Sequence, residues 1–90
     1  MQLSGTTRVR RARQAEFRRV GDDEFEIRLN EDVVYLDGVA GTLWRLFDGR
    51  RSLDDAVAEI KAAYDAPPDV AEDVTSFVEE MLARGFLAEV

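Results

Sequence analysis

Residues 33–52 read VVYLDGVAGTLWRLFDGRRS, and they combine the signals of a strand, a turn and a helix. The run Val33–Leu36 is β-branched and aromatic, which favours a strand, and Asp37-Gly38 is a turn signal that ends it. Beyond this turn, apolar residues recur at steps of three and four, the spacing of one helical face. The stretch therefore predicts a strand that turns sharply into a helix.

The predicted helix follows the turn and ends at Asp48-Gly49, where glycine can adopt the left-handed conformation of a helix cap. Trp44, the only tryptophan of the chain, belongs to this helix. The apolar face of the helix consists of Val39, Ala40, Leu43, Trp44 and Phe47. We therefore expect Trp44 and its neighbours to form the centre of the core.

Two further strands are predicted upstream of this stretch. In Phe25–Leu29 every second residue is apolar, which is the period of a half-buried strand, and Phe17–Val20 is a candidate for the strand before it. The segments Gly21-Asp22-Asp23 and Asn30-Glu31-Asp32 are turn signals. Short turns between successive strands predict an antiparallel meander of three strands.

The second half of the chain predicts two more helices and an apolar tail. Ser52 is a good N-cap for the second helix, which ends before Pro67-Pro68. Asp69 can cap a third helix that stops at Gly85. The tail, residues 86–90, either pairs as a strand or covers the core. The pattern predicts an α+β fold of winged helix-turn-helix type, with a three-stranded antiparallel sheet followed by three helices.

Composition excludes most enzyme chemistry. The chain of 90 residues suffices for one domain, and it contains no cysteine and no histidine. The commonest general base and the commonest metal ligands are therefore missing. Adjacent carboxylates such as Asp54-Asp55 and Glu79-Glu80 fall at a helix start and on a polar helix face, where acids are ordinarily solvated. We expect no catalytic residue, no metal and no cofactor, and hence a protein that is not an enzyme.

Charge is distributed unevenly along the chain. Residues 1–20 contain six arginines and one glutamate, a net charge of +5, so residues 21–90 carry −12 of the total of −7. This asymmetry predicts a flexible basic arm over residues 1–14 in front of a single domain over residues 15–90. The arm is either a solvated tail or a segment that contacts an acidic partner or folds onto its own domain.

The length of the apolar segments in the sequence predicts where the protein is located. The N-terminus has no apolar segment of the signal-peptide type, and no apolar run approaches membrane-spanning length. We expect a cytoplasmic protein that does not bind membranes.

A winged-helix architecture also suggests DNA binding, which we keep as the alternative function. The charged residues of the third helix and its cap are Asp69, Glu72, Asp73, Glu79, Glu80 and Arg84. This acidic surface would repel phosphates, because duplex affinity comes largely from lysine and arginine contacts. A carrier protein with a phosphopantetheine arm on Ser52 is a third interpretation, but an ordinary N-cap explains the same serine.

One known family shows the same elements in the same order. The matching residues are Val34-Tyr35-Leu36, Ala40, Leu43-Trp44-Arg45-Leu46, Asp48-Gly49, Ser52-Leu53, Tyr64, Asp73-Val74, Phe77-Val78 and Gly85-Phe86-Leu87. Over about residues 15–90 the chain resembles the PqqD-like family, also called RiPP recognition elements. One departure is Asp37, where many relatives have asparagine after the leucine. Members of this family are small leader-peptide-binding domains in the biosynthesis of ribosomally made, post-translationally modified peptides, as in lasso-peptide, PQQ and mycofactocin biosynthesis.

The resemblance implies a non-catalytic adaptor, or peptide chaperone, that captures the leader of a precursor peptide by β-strand addition. The leader would pair with the edge formed by Val33, Val34, Tyr35 and Leu36. It would lie against a wall of the third helix formed by Val70, Asp73, Val74, Phe77 and Met81. From the sequence alone, this wall is either a partly exposed groove or buried core.

The resemblance also implies the partners. They are the precursor's leader peptide and a cognate modifying enzyme, such as a leader peptidase of lasso-peptide type or a radical-SAM maturase. No nucleic acid is expected. Acidic flanks of the third helix, Asp73 and Glu80, suggest a leader with basic or amide-donating side chains.

Overall fold

The computed structural model of the protein describes residues 3–90, which form two three-stranded antiparallel sheets and three helices around one core. In chain order the elements are β1 (Arg8–Arg11), β2 (Glu16–Gly21), β3 (Glu24–Leu29), β4 (Asp32–Leu36), α1 (Gly38–Leu46), β5 (Asp48–Ser52), α2 (Leu53–Ala63), α3 (Val70–Ala83) and β6 (Leu87–Glu89). The predicted α+β class, with a three-stranded antiparallel sheet and three helices, is confirmed.

The first sheet is the predicted meander, in the order β2-β3-β4. Ile27 on the central strand lies opposite Phe17 on one side and opposite Val34 on the other. The loop between β3 and β4 has two residues, Asn30 and Glu31, and Asn30 has a φ of 56°. A positive φ at the first loop residue is shared by the type I′ and type II′ turns, whose twist matches that of the flanking strands.

The second sheet, in the order β5-β1-β6, is the main difference from the sequence-based expectation. In β1, Arg10 lies opposite Asp48 of β5, and Arg11 lies opposite Leu87 of β6. The apolar tail therefore pairs as a strand, which is one of its two predicted alternatives. Strand β5 was not predicted, because its sequence DGRRS has neither an apolar run nor a clear alternation.

The prediction of a flexible arm over residues 1–14 is wrong at Arg8–Arg11, because these residues form the central strand of the second sheet. The side chain of Val9 is fully buried. A four-residue strand with a single buried apolar residue leaves almost no periodic signal among its arginines. The arm was expected either to stay solvated, to contact an acidic partner or to fold onto its own domain. For Arg8–Arg11 the last of these is correct. Met1 and Gln2 lie outside the described residues.

Helix α1 ends at Leu46, two residues before Asp48, the end that the sequence suggested. Its C-cap is Phe47, and Gly49, with a φ of 83°, lies within β5 instead of capping the helix. The guanidinium of Arg11 donates hydrogen bonds to the carbonyl oxygens of Trp44 at 2.8 Å and Arg45 at 3.0 Å. This cation satisfies carbonyls that the helix leaves open and lies at the negative end of its dipole.

The predicted boundaries of the other two helices agree closely with the structure. The Ser52 side chain accepts a hydrogen bond from the backbone N–H of Asp55, whose carboxylate accepts one from the Ser52 N–H, so a capping box begins α2. At the end of α3, Gly85 has a φ of 84° and donates to Leu82, while the N–H of Phe86 donates to Met81. These two bonds close the helix as a Schellman motif.

Trp44 lies at the centre of the core, as predicted, with no exposed surface. The other largest buried side chains are Phe47, Phe86, Ile27, Leu46, Ile60 and Met81. Phe17 of β2 approaches the indole ring edge-on, with 5.6 Å between centroids, and the Arg11 guanidinium lies 5.5 Å from the centroid of Phe17. The indole thus packs against Phe17 of the first sheet, while Arg11 of the second sheet bonds to the backbone of the same helix.

A second contact fixes α1 against the β2–β3 turn. The helix passes so close to this turn that a Cβ on Gly41 would overlap the carbonyl oxygen of Asp23. The Asp23 carboxylate accepts hydrogen bonds from Arg45 Nε at 2.9 Å and from Thr42 Oγ1 at 3.2 Å. The bond from the Arg45 side chain, more than the opposing effect of partial desolvation, lowers the pKa of Asp23 below its ordinary 3.8.

Replacing Gly41 with alanine is expected to destabilise the protein by about 2 kcal/mol or more, because the new methyl group meets backbone that cannot rotate away. On helix propensity alone the change would stabilise the protein by about 1 kcal/mol. The sign of the change in unfolding free energy therefore shows whether the clash with the turn or helix propensity dominates. The measurement is urea unfolding followed by Trp44 fluorescence. Ser76→Ala, on the exposed side of α3, is the control and should shift stability by less than about 0.5 kcal/mol.

Replacing Asp23 with asparagine is expected to remove part of the acid sensitivity of the fold. Since the folded state lowers the pKa of Asp23 below 3.8, its carboxylate stabilises the fold above that pH, and this stabilisation disappears as the pH falls through the folded-state value. The free energy of unfolding of the wild type should therefore exceed that of Asp23→Asn by about 0.5 kcal/mol at pH 7, and the two values should converge towards pH 2. Asp22→Asn removes the same charge one residue away. An equal, pH-dependent loss in that control would contradict the assignment to the Arg45 contact.

Candidate peptide-binding site

Strand β4 has one uncovered edge. Among residues 3–90 it pairs with β3 alone, so its other side presents unpaired backbone groups. Val33 and Tyr35 are 53% and 55% exposed, whereas Leu36 is buried and anchors the end of the strand in the core. Within residues 3–90, β4 is therefore not enclosed between two strands, and its free side can accept a further strand.

The two-residue turn determines which backbone groups face the open edge. The residues that flank such a loop, Leu29 and Asp32, form a hydrogen-bonded pair, and such pairs alternate along an antiparallel ladder. Val34 and Leu36 therefore direct their N–H and C=O groups to β3. The corresponding groups of Val33 and Tyr35 point away from β3, where an added strand would meet them.

The two edges of this sheet differ in charge. Strand β2, at the opposite edge, carries Arg18 and Arg19, which form ion pairs with Glu26 and Asp22 respectively. Charged side chains on an edge strand discourage pairing with a further strand. Residues 33–36 of β4 are all uncharged. Only the β4 edge thus has the composition of a strand that can accept a partner.

The outward side chain of Tyr35 is tied to the neighbouring strand. Its hydroxyl donates a 2.6 Å hydrogen bond to Glu24 Oε2, and this bond is the largest cause that raises the pKa of Tyr35 above its ordinary 10.0. The ring is held across the outer face of β3 and β4, which leaves the edge beside it open.

An apolar groove, which we call the α3 groove, lies between α1, α3 and the loop before α3. It has a volume of about 460 Å³. Its lining residues are Val39, Ala40, Leu43, Tyr64, Asp65, Ala66, Pro67, Val70, Asp73, Val74 and Phe77. Val70 and Val74 are buried and form its floor, and Phe77 is half-buried with its ring stacked on Phe47 at 6.5 Å.

Two observations relate helix α3 to the ends of β4. Its first half lines the groove together with Val39, which follows Leu36 by three residues and lies at most about 11 Å along the chain from it. The other end of α3 lies near the start of β4, because a Cβ on Gly85 would be 3.0 Å from Leu29, whose strand partner is Asp32. The groove is therefore placed beside the end of the open strand.

The predicted site residues separate into two groups. Val70, Asp73, Val74 and Phe77 line the α3 groove, and Val33–Leu36 form the open strand. Met81 was predicted as part of the wall, but it is buried in the core and does not line the groove. Helix α3 is thus both groove and core: residues of its N-terminal half line the groove, whereas Met81, near its C-terminus, packs in the core.

Sequence reasoning missed the side of the groove opposite α3. This side consists of Val39, Ala40, Leu43, Tyr64, Asp65, Ala66 and Pro67. Val39, Ala40 and Leu43 were assigned to the core face of the first helix. The available signal was the sharp break at Pro67-Pro68, which keeps the second helix from covering the start of the third.

In the part of the chain that the structure describes, no group of three acidic, cysteine or histidine side chains is placed to hold a metal ion. No helix there has the length and apolar character needed to cross a bilayer.

These features define a small α+β domain with one uncovered, uncharged strand edge beside an apolar groove. Residues 27–87 match the family described as Coenzyme PQQ synthesis protein D (PqqD), and the chain belongs to this family. The PqqA binding protein of Rhizobium meliloti (strain 1021) is 36% identical over 58 residues, 63% of this chain and 59% of that relative. The match therefore covers less than two thirds of the relative's length.

A solved structure shows the same fold in a larger chain. The structure of the heterocyclase TruD matches with a TM-score of 0.66 at 13% identity. The match covers 93% of this chain and 12% of the heterocyclase chain. At this identity the likeness concerns the fold alone.

Proline substitutions along β4 should reveal the direction of its backbone groups. Val34→Pro is expected to destabilise the protein by about 3 kcal/mol or more, because it removes an N–H that bonds to β3. Val33→Pro removes an outward N–H and should cost less than about 1 kcal/mol, as edge positions tolerate proline. Urea unfolding measures both. The reverse order would show that β4 is turned by one residue relative to our assignment.

Proposed function

We propose that the protein is a non-catalytic adaptor that captures the leader segment of a ribosomal precursor peptide and presents it to a modifying enzyme or leader peptidase. The leader adds to β4 as a further antiparallel or parallel strand. Its backbone bonds to the outward groups of Val33 and Tyr35, and its inner side chains contact the α3 groove. Backbone pairing supplies affinity, and the groove supplies register.

The observation that carries this proposal is the combination of an uncharged open edge with an adjoining apolar groove. An exposed edge strand favours aggregation unless it is protected, and the other edge of the same sheet is protected by charge. An unprotected edge beside a groove of about 460 Å³ is the arrangement expected where an extended peptide binds.

The comparisons support a peptide ligand and an enzyme partner. One relative is named for binding PqqA, and it matches this chain over 58 residues. The fold also occurs within the chain of a heterocyclase, an enzyme, in which it makes up 12% of the length.

The DNA-binding alternative gains no support from the structure. The side chains of Glu72, Asp73 and Glu79 are exposed on α3, the helix that would enter the major groove. Arg84, its one cation, is within 3.6 Å of Glu80. A helix with this charge would be repelled by the phosphate backbone.

The direct test is calorimetric titration of the protein with the leader of the precursor peptide encoded beside its gene. We expect a one-to-one complex with a dissociation constant below tens of micromolar. Folded protein that shows no heat of binding at that concentration would overturn the proposal.

Tyr35→Pro tests the binding mode. The variant loses an outward N–H and leaves a peptide carbonyl unpaired, so binding should weaken by about tenfold or more while the β3–β4 ladder remains. Tyr35→Phe is the matched control: it loses the hydrogen bond to Glu24 but keeps the backbone N–H, and it should bind like the wild type. Equal affinities for a folded proline variant and the wild type would exclude strand addition at β4.

A further inference from the structure

We infer that the α3 groove selects a peptide that carries an arginine or lysine on the side facing the helices, with Asp65 and Asp73 as the specificity-determining residues. This inference rests on the proposed function. It adds to strand pairing a chemical requirement on one side chain of the ligand.

The lining of the groove is apolar except at its rim. Tyr64, Asp65 and Asp73 are its polar residues, and the Tyr64 hydroxyl is already bonded to Thr42 and to the carbonyl of Gly38. Asp65 and Asp73 are therefore the charged residues of the lining, and no lysine or arginine accompanies them. A ligand with a cationic side chain would complement these two carboxylates, whereas a purely apolar ligand would not.

Neither carboxylate has a partner within residues 3–90. The ion pairs and side-chain hydrogen bonds of this part of the chain involve neither Asp65 nor Asp73, and both residues are exposed. Other acids do have partners: Asp23 bonds to Arg45, and Asp48 bonds to Arg51. The positive end of the α3 dipole offsets part of the negative charge of Asp73. Glu72 lies in the same first turn, however, and adds a negative charge that opposes this effect.

The shape of the groove fits a long cationic side chain. Arginine and lysine bury their methylene stems along apolar surfaces and keep their charged ends in water. Val70 and Val74 provide such a surface as the floor, and the carboxylates lie at the rim. Phe77, held by its stacking on Phe47, offers an aromatic contact that favours a guanidinium.

The position of this cation in the peptide follows from the strand register. Side chains alternate between the two faces of a sheet, and those of Val34 and Leu36 point inward while Val33 and Tyr35 point outward. Peptide residues beside Val34 and Leu36 share this inner face with the helices. We place the cation at the inner position nearest Leu36, because the groove adjoins that end of β4.

The test is a displayed library of random 16-residue peptides, selected on the full chain and on the Asp65→Asn/Asp73→Asn double variant. We expect the wild type to enrich sequences with arginine or lysine at one fixed position, and apolar or β-branched residues two positions away. The double variant should enrich peptides without that cation. Glu79→Gln is the control, since it removes an exposed α3 charge outside the groove lining and should select like the wild type.

A synthetic copy of the most enriched peptide then gives the magnitude. Replacing its cation with citrulline or norleucine should weaken binding to the wild type about three- to tenfold, and should leave binding to the double variant unchanged. Raising the salt concentration from 50 to 500 mM should weaken binding to the wild type only.

The outcomes separate the two levels of the proposal. Binders that compete with one another, fail on Tyr35→Pro and show no cation preference would overturn the inference and leave the proposed function standing. A failure to enrich any sequence on the folded wild type would overturn both. A concentration-dependent dimer that Tyr35→Pro converts to monomer would assign the edge and groove to a second copy of this chain, and it would also overturn both.

Discussion

The close approach of helix α1 to the β2–β3 turn is the constraint on which the remaining structure depends. Only glycine at position 41 allows the Asp23 carbonyl to lie against the helix, and the Asp23 carboxylate then bonds to Arg45 one turn further on. This contact holds the first sheet against the helices at a fixed angle. Because β4 leads into α1 after a single residue, the same contact determines where the open strand ends and the α3 groove begins.

The proposed peptide-binding surface is formed by what the fold leaves uncovered. One sheet edge is charged and the other is not, and the uncharged edge adjoins an apolar groove whose rim carries two free carboxylates. Each feature alone is common on protein surfaces. Together they support the proposed extended, positively charged peptide over a nucleic acid or a small polar metabolite, since the backbone edge can accept a strand and the two rim carboxylates complement a cation.

The sequence predicted the meander, the three helices and the burial of Trp44, because each rests on a local period or a local cap. Through the family resemblance it also pointed to Val33–Leu36 as the open edge and to four of the five wall residues, Val70, Asp73, Val74 and Phe77, that line the groove. It did not predict the second sheet: Arg8–Arg11 and Asp48–Ser52 carry almost no apolar signal, and their pairing depends on residues about 40 positions apart. Met81 was misplaced because a helical stripe does not reveal which of its turns another element covers.

Sequence by itself determined the elements, their order and the absence of cysteine and histidine, since these follow from composition and short-range periodicity. Tertiary structure decided that the β4 edge stays open, which residues of α3 line the groove and which acids lack a partner. The physical reason is that pairing, burial and charge compensation are set by contacts between distant segments. Asp23 and Asp73 illustrate this. The Asp23 carboxylate pairs with Arg45, whereas the Asp73 carboxylate lies free at the rim of the groove, because different chain segments lie beside the two residues.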